Sequence, residues 1–391
     1  MKILLINNYG YVRGGAEVVF FNLTNLLKSK GHEVKLFSKF LLDDDSSLID
    51  FEVKESQFFF NRFYSIRSKH KISEVLDSFS PDIVHINNII GGITFSILPE
   101  IKKRKIPIVA SVHDFRLLCP VGIFLNGKKE VCEECKVGRY YKCILNRCNP
   151  EGFVKNVMIA AESYLRDFLF PHKDYFDKYL FVSHFTKNKF LEFYPDLDIK
   201  SEVLYNFTND FNYNIKRGKY FLYFGRLDRE KGIFNLINVF KELKNYELII
   251  LGKGEYSENL NKIDAPNIKY LGFKKGRELQ EMILNSQYVV IPSECYETQS
   301  MVAVESFAMS KPIIASNLGG LVEMVNKENN GFLFEPRNYD SLKETVIKAN
   351  NISDENYFRL SNNAFKFASE NFNSENYYNK LISIYNSVLE N

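Results

Sequence analysis

Apolar runs of strand length alternate with amphipathic helical stretches along most of the chain. "KILLINNY" leads into a helical pattern over 16–30, then "EVKLFSK", a helical stretch around 60–79, "DIVHINN", a helix near 93–104 and "IPIVASVHD". An irregular segment follows. After it come a helix near 152–169, "KYLFVSH", a short helix and "SEVLYNF". Near-continuous apolar runs suit strands covered on both faces, so this βα alternation predicts parallel sheets wrapped by helices. The stretch "TNDFNYNIKRGK", 208–219, is polar and aperiodic and reads as a linker. Beyond it a second series runs through "YFLYFGRL", "YELIILG", "NIKYLGF", "QYVVIPS", "KPIIASN" and "GFLFEP". From about 338 the pattern is helical to the end, and no internal repeat is evident.

The pattern predicts two doubly wound, Rossmann-like α/β domains facing a central cleft. The expected boundaries are 1–207, with a cysteine-rich insertion at about 115–150, then 208–374. A helix over 375–391 is expected to cross back to the first domain. Open α/β sheets bind ligands beyond the carboxyl ends of their strands, so two such ends would set two substrates against each other.

Composition changes this picture little. A chain of 391 residues with 45% hydrophobic and 25% charged residues is ordinary for a globular protein. The charge is uneven: residues 1–205 hold 29 Lys and Arg against 25 Asp and Glu, and the remainder 22 against 23. No recognition motif supports nucleic-acid binding. No apolar run approaches the roughly 18–20 residues of a membrane span, and the start is too short for a secretory signal. A cytoplasmic protein is expected, in which disulfides are not the default for six cysteines.

Candidate chemistry sits at the strand ends. In "FGRLDREKGI", 224–233, Arg226 and Lys231 flank a glycine turn before a helix. Two cations beside a helix N-terminus make an anion site, and a diphosphate fits it. "LGKGEY", 251–256, and "YVRGGAEVV", 11–19, are further glycine turns, neither a dinucleotide fingerprint. "YETQSMVAVESF", 296–307, carries Glu297 and Glu305 eight positions apart. Its helix is expected to start near Gln299, with the N–H groups of Gln299, Ser300 and Met301 between the two carboxylates. Spacing alone leaves Glu305 open as a plain surface residue.

Taken in order, "FGRL…KG", "LGKGEY", "YLGF", "IPSECYETQSMVAVESFAMSKPIIASNLGGLVEMV" and "GFLFEP" resemble the second half of family 4 glycosyltransferases, which have the GT-B fold. "GGAE", "HINN", "SVHDF" and "FVSHFT" resemble the first half. The resemblance implies a retaining transferase that uses a nucleotide-diphosphate sugar as co-substrate and no catalytic metal or other cofactor. It implies that Arg226 and Lys231 neutralise the leaving diphosphate, that Glu305 accepts from the ribose hydroxyls, and that Glu297 lies beside the transferred sugar. His113 matches a histidine near donor sugar and acceptor. Gly14 and Gly15 match a loop approaching the diphosphate, and Gly272 and Phe273 a segment lining the base. Many members carry an aromatic residue and a glycine where this chain has Gln299 and Ser300, which leaves the donor open. The resemblance further implies a glycan or lipid-linked acceptor and a role in cell-surface polysaccharide synthesis. An epimerase, a hydrolase and a non-catalytic nucleotide-sugar binder remain alternatives on the same fold.

Five of the six cysteines, Cys119, Cys132, Cys135, Cys143 and Cys148, fall within thirty residues. C-x2-C followed by C-x4-C resembles zinc-ligand spacing; four of the five as structural zinc ligands, and free thiols, are the two readings. The cysteine-bearing pattern also looks like a subgroup of the family. Cys295 is isolated and reads as a buried thiol. "SQFFFNRFYSIRSKHK", 56–71, and "KKRK", 102–105, interleave aromatic and basic residues. A peripheral contact with an anionic membrane competes there with a core-facing aromatic stripe. "DDD", 43–45, reads as a solvated loop rather than a metal motif.

Overall fold

The computed structural model describes residues 1–41, 49–54, 59–325 and 329–390. The "DDD" triplet lies outside them, as do residues 56–58 of the aromatic and basic stretch. The chain divides into two compact units, Met1–Tyr205 with Tyr377–Asn391, and Asn206–Asn376.

The first unit holds β1 (Lys2–Asn7), β2 (Glu33–Ser38), β3 (Phe51–Glu52), β4 (Ile83–Asn88), β5 (Ile108–Val112), β6 (Lys178–Phe181) and β7 (Ser201–Val203). Among the described residues they form one sheet in the order β3-β2-β1-β4-β5-β6-β7, every pairing parallel. Ile3–Ile6 are wholly buried, as the apolar run requires of a central parallel strand. Leu5 pairs with Leu36 on one side and His85 on the other. The order reverses between β1 and β4, which is the switch point where such sheets bind ligands.

The second unit repeats the scheme with β8 (Tyr220–Arg226), β9 (Leu248–Lys253), β10 (Ile268–Tyr270), β11 (Ser286–Ile291), β12 (Ile313–Ser316) and β13 (Gly331–Phe334). Their order is β10-β9-β8-β11-β12-β13, again all parallel. Phe221, Tyr288, Phe240 and Tyr357 centre the core on one face of this sheet. The switch point lies between β8 and β11.

Two elements differ from expectation. β3 is a two-residue strand that no apolar period announces. Residues 208–219 carry no regular element, yet they are not a free linker. Asn212 N–H donates to Ala308 O, Asn214 N–H to Ser310 Oγ, and the buried Lys311 ammonium to Lys216 O at 2.7 Å. These bonds tie the segment to the second unit.

The last helix, Ser374–Leu389, begins in the second unit and ends in the first. Tyr385, fully buried, meets His85 Nδ1 through its hydroxyl, and Ser111 Oγ meets His85 Nε2 at 2.7 Å. Burial, with the nearby His113, pushes the His85 pKa down to about 3. The folded state therefore keeps this imidazole neutral while an unfolded chain protonates it near 6.5. Its contribution to stability is present above pH 6.5 and is lost as pH falls towards 3, at up to about 1.4 kcal/mol per pH unit. Urea unfolding at a series of pH values checks this: between pH 6.5 and 5, His85→Asn should lose stability less steeply than the parent protein. Parallel slopes would show that His85 already ionises in the fold.

Candidate active site

The turn after β8 and the loop after β11 meet at the switch point of the second sheet. Gly232, at φ +71°, closes that turn, and a Cβ there would overlap the Pro292 carbonyl oxygen. Only glycine lets the turn pass this close. Glu294 N–H donates to Glu230 O at 2.8 Å and locks the two segments together.

This contact presents Lys231 to Glu297. The Lys231 ammonium stands 2.6 Å from Glu297 Oε1, which also accepts from Ser293 Oγ. The two side chains are only 21% and 14% exposed. Burial acts against charge on both, but their mutual attraction outweighs it. The Glu297 pKa lies below the usual carboxylate range and that of Lys231 above the usual ammonium range. Arg226, 53% exposed, pairs with Asp228 and stands 3.6 Å from Glu230. Its charge is felt at both Lys231 and Glu297. Behind Glu297, the "GG" of "SNLGG" packs against the loop: Gly320 N–H donates to Glu297 O at 2.7 Å, and a Cβ on Gly320 would overlap Thr298 O.

The helix after this loop spans Met301–Ala308, two residues later than expected. Ser300 is its N-cap, accepting from Ala303 N–H through Oγ. With Ser300 as the cap, the main-chain N–H groups of Met301 and Val302 open the helix at its positive end, and Gln299 lies one residue before the cap. The Gln299 side chain serves elsewhere: its Oε1 accepts from Asn206 N–H at 2.7 Å and its Nε2 donates to Asn206 O. It fastens the start of the second unit. Glu305 lies on the fifth residue of the helix, half-buried. Burial, then the negative charge of Asp210, pushes its pKa up to about 7. Gly272 and Phe273 follow β10, where Gly272 O accepts from Gly252 N–H and Lys253 stacks its ammonium 5.1 Å over the exposed Phe273 ring.

In the first unit, Gly14 caps the helix Gly15–Ser29, and its N–H donates to Glu17 Oε2 at 2.9 Å. The glutamate of "GGAE" is thus the capping partner of the turn. His113 follows β5 beside a small cavity of about 40 Å³ that Asn88, Ser111 and Asp114 help to line. Burial lowers its pKa to about 4 against the opposing charge of Asp114, so it is a neutral imidazole at neutral pH.

The cysteine segment brings its thiols within electrostatic reach of one another: Cys119, Cys132 and Cys148 act on Cys135, and Cys148 bonds Cys143. Among the described residues, no group of three or more His, Cys, Asp or Glu side chains is placed to hold a metal ion. All six cysteines are free. Cys135 and Cys143 pack with Tyr140 and Ala160, and Cys148 packs against them; the hydrogen bond between Cys143 and Cys148 raises the pKa of the first thiol and lowers that of the second. Burial pushes Cys119 up to about 11 and Cys135 up to about 12. Cys132 instead receives a hydrogen bond from Asn146 at 3.6 Å. Cys295 is buried, as expected.

The basic stretches are partly spent in ion pairs. Lys102 stands 3.4 Å from Asp177, and Arg104 pairs with Asp77 and Glu100. Tyr64 packs on Phe170, whereas Arg62, Ile66 and Arg67 are exposed.

Sequence reasoning missed Ser293, Asp228 and Glu294. Only their position beside the motif residues could have suggested them.

Two family models match the chain: "Glycosyltransferase Family 4" over residues 13–210 and "Glycosyl transferases group 1" over 206–367. An uncharacterised glycosyltransferase of Methanocaldococcus jannaschii is 28% identical over 235 residues, 54% of this chain and 60% of that protein. The lipopolysaccharide 1,2-N-acetylglucosaminetransferase of Salmonella typhimurium is 30% identical over 174 residues, 40% of this chain and 45% of that protein. The chain thus spans about half the length of these relatives. Among solved structures, a glycosyltransferase from Rickettsia africae has a TM-score of 0.71 at 19% identity, covering 100% of this chain and 99% of its own. Anabaena HepE in complex with UDP has a TM-score of 0.67 at 17% identity, covering 99% and 100%. Both solved structures show the GT-B fold shared with this chain.

Gly232→Ala should lower stability by about 2 kcal/mol or more, because it combines an unfavourable φ with overlap on Pro292. Lys231→Ala and Glu297→Gln, measured singly and together by urea unfolding, should show a coupling of about 1–3 kcal/mol. Additive effects would mean that the pair does not hold the loop.

Proposed function

The chain belongs to glycosyltransferase family 4, and from that premise we propose that it transfers a sugar from a nucleoside-diphosphate donor to a glycan or lipid-linked acceptor. The observation that carries this reading is the set of cations at the end of the second sheet. Lys231 stands 2.6 Å from Glu297, in the loop that leads into the helix Met301–Ala308, and the charge of Arg226 acts on both.

In the transfer, the bond between the anomeric carbon and the diphosphate oxygen breaks. The acceptor hydroxyl oxygen forms the new bond and gives up its proton to the departing diphosphate oxygen on the same face. Charge develops on the departing diphosphate, and fixed cations and helix N–H groups stabilise it without reorganising. Retention requires the acceptor to enter on the face the diphosphate leaves, so the same cations govern that face. Glu305 serves the ribose hydroxyls and Glu297 fixes Lys231 while bordering the sugar. Gly272 and Phe273 line the base. From the first unit, Gly14 and Gly15 approach the diphosphate. His113, as a neutral imidazole, accepts a hydrogen bond from a sugar or acceptor hydroxyl. Catalysis of this kind calls for no bound metal.

The UDP in the Anabaena structure supports a nucleoside diphosphate as the leaving group. The name of the Salmonella relative supports a cell-surface polysaccharide or lipopolysaccharide acceptor. A protein of this kind works at the cytoplasmic side of the membrane. The exposed Arg62 and Arg67 support peripheral contact with anionic lipid.

Thermal shift with a panel of nucleotides and nucleotide sugars identifies the donor. With that donor, Lys231→Ala should lower kcat by about 10²-fold or more, with less effect on KM. Unchanged kcat would remove Lys231 from the leaving-group role. A hydroxyl donates better to a carboxylate than to a carboxylic acid, so nucleotide affinity should rise as pH climbs through about 7. The diphosphate also titrates near this range, so the readout is the difference from Glu305→Gln. That variant should bind more weakly and lose the component due to Glu305. Identical profiles would place Glu305 away from the ribose.

A further inference from the structure

The helix Phe153–Leu169 is turned inside out for a soluble protein. Its buried residues are Asn156, Ala160, Ser163 and Arg166. Its exposed ones include Phe153, Val154 and Val157 at one end and Leu165, Phe168 and Leu169 at the other. Phe153 is 68% and Phe168 83% exposed. At 100° per residue these six positions and Tyr164 fall within a sector of roughly 160°, a continuous apolar face about 25 Å long. The patch extends onto the neighbouring helix Tyr141–Leu145, since Tyr141 N–H donates to the Tyr164 hydroxyl at 3.1 Å. There Val137 (84% exposed), Tyr141 and Leu145, at a spacing of four, also face solvent. Soluble monomers rarely expose so many large apolar side chains together.

We propose that this face is the membrane-docking surface of the protein, seated in the interfacial layer of a bilayer containing anionic lipid. The inference rests on the membrane contact proposed above and gives it a location. Three features favour lipid over a protein partner. The exposed side chains are aromatic and aliphatic, the composition of helices that lie in the interface. Arg139 and Arg147 flank the helix Tyr141–Leu145, are exposed and, among the described residues, carry no ion pair, whereas Lys142 and Lys155 are paired with Glu134 and Glu151. The carboxylates of the helix are engaged elsewhere, Asp167 by Arg166 and Tyr140, and Glu162 by the charges of Arg166, Arg116 and Arg62. No helix among the described residues is long and apolar enough to cross a membrane.

The test is flotation of the full chain with vesicles of phosphatidylcholine containing phosphatidylglycerol, against pure phosphatidylcholine. The parent protein should float with the anionic vesicles. Phe153→Ser/Phe168→Ser/Leu169→Ser should bind about tenfold more weakly or less, because three interfacial anchors are gone. These side chains are exposed, so the melting temperature and nucleotide-induced stabilisation of the variant should match the parent. Arg139→Gln/Arg147→Gln should weaken binding to anionic vesicles, and raised salt should do the same. If the parent never floats, the membrane reading falls and this one with it. If the parent and the triple variant float equally, membrane contact stands but this face is not its site. If light scattering shows a dimer that the triple variant converts to monomer, with no flotation by either, the face pairs with a second copy and the proposal is overturned.

Discussion

The pairing of Lys231 with Glu297 is the constraint from which the end of the second sheet follows. Two charges withdrawn this far from water cost several kcal/mol in lost hydration, and only a close partner offsets that. The 2.6 Å contact supplies it. The contact in turn demands that the turn after β8 reach the loop after β11. Gly232 allows the approach, Glu294 N–H to Glu230 O fixes it, and Gly320 N–H holds the carbonyl of Glu297 from behind. Motif residues far apart in sequence are thus parts of one assembly. In the proposed transfer, a cation held by a fixed carboxylate is already oriented before a diphosphate arrives, which is the preorganisation such catalysis uses.

The two glutamates of "YETQSMVAVESF" show how little residue type decides. Glu297 is kept ionised by Lys231, despite burial. Glu305 has no cation among the causes of its shift; burial and Asp210 raise it to about 7. A hydrolase needs one carboxyl to donate a proton and the other to attack or activate water. Glu297 is committed to an ammonium and a serine hydroxyl, which leaves it poorly suited to attack. A lysine and an arginine at the end of the sheet have no task in hydrolysing a neutral glycoside, whereas a departing diphosphate needs both.

The alternation of apolar runs carried the architecture plainly, because parallel strands must be apolar along their whole length. It could not show β3, which is too short to have a period. It read 208–219 as a linker because nothing local reveals that Lys311, Ser310 and Ala308 satisfy its backbone. The residue types of the candidate site were legible from "FGRL…KG" and the spaced glutamates. Their partners were not: nothing local in the sequence says that the Gln299 amide bonds the main chain of Asn206. The cysteine spacing suggested a metal for a similar reason. Spacing fixes separation along the chain only; in the fold Cys119, Cys135, Cys143 and Cys148 do act on one another, and part of the cluster is packed among apolar side chains.

The helix Phe153–Leu169 carries that lesson furthest. Its amphipathic period is evident in the sequence, but a period does not say which face turns inward. Hydrogen-bond demand decides it. Asn156 donates to the carbonyls of Asn149 and Gly152 and accepts from Asn149 N–H, and Arg166 donates to the carbonyl of Arg116. Each of these main-chain groups, left unsatisfied in the interior, would cost about 1–3 kcal/mol. The irregular cysteine segment therefore draws the polar face of the helix onto itself, and the apolar face is left outside. A loop that needs polar partners from its supporting helix thereby creates an apolar surface, and the bilayer contact proposed above is what covers it.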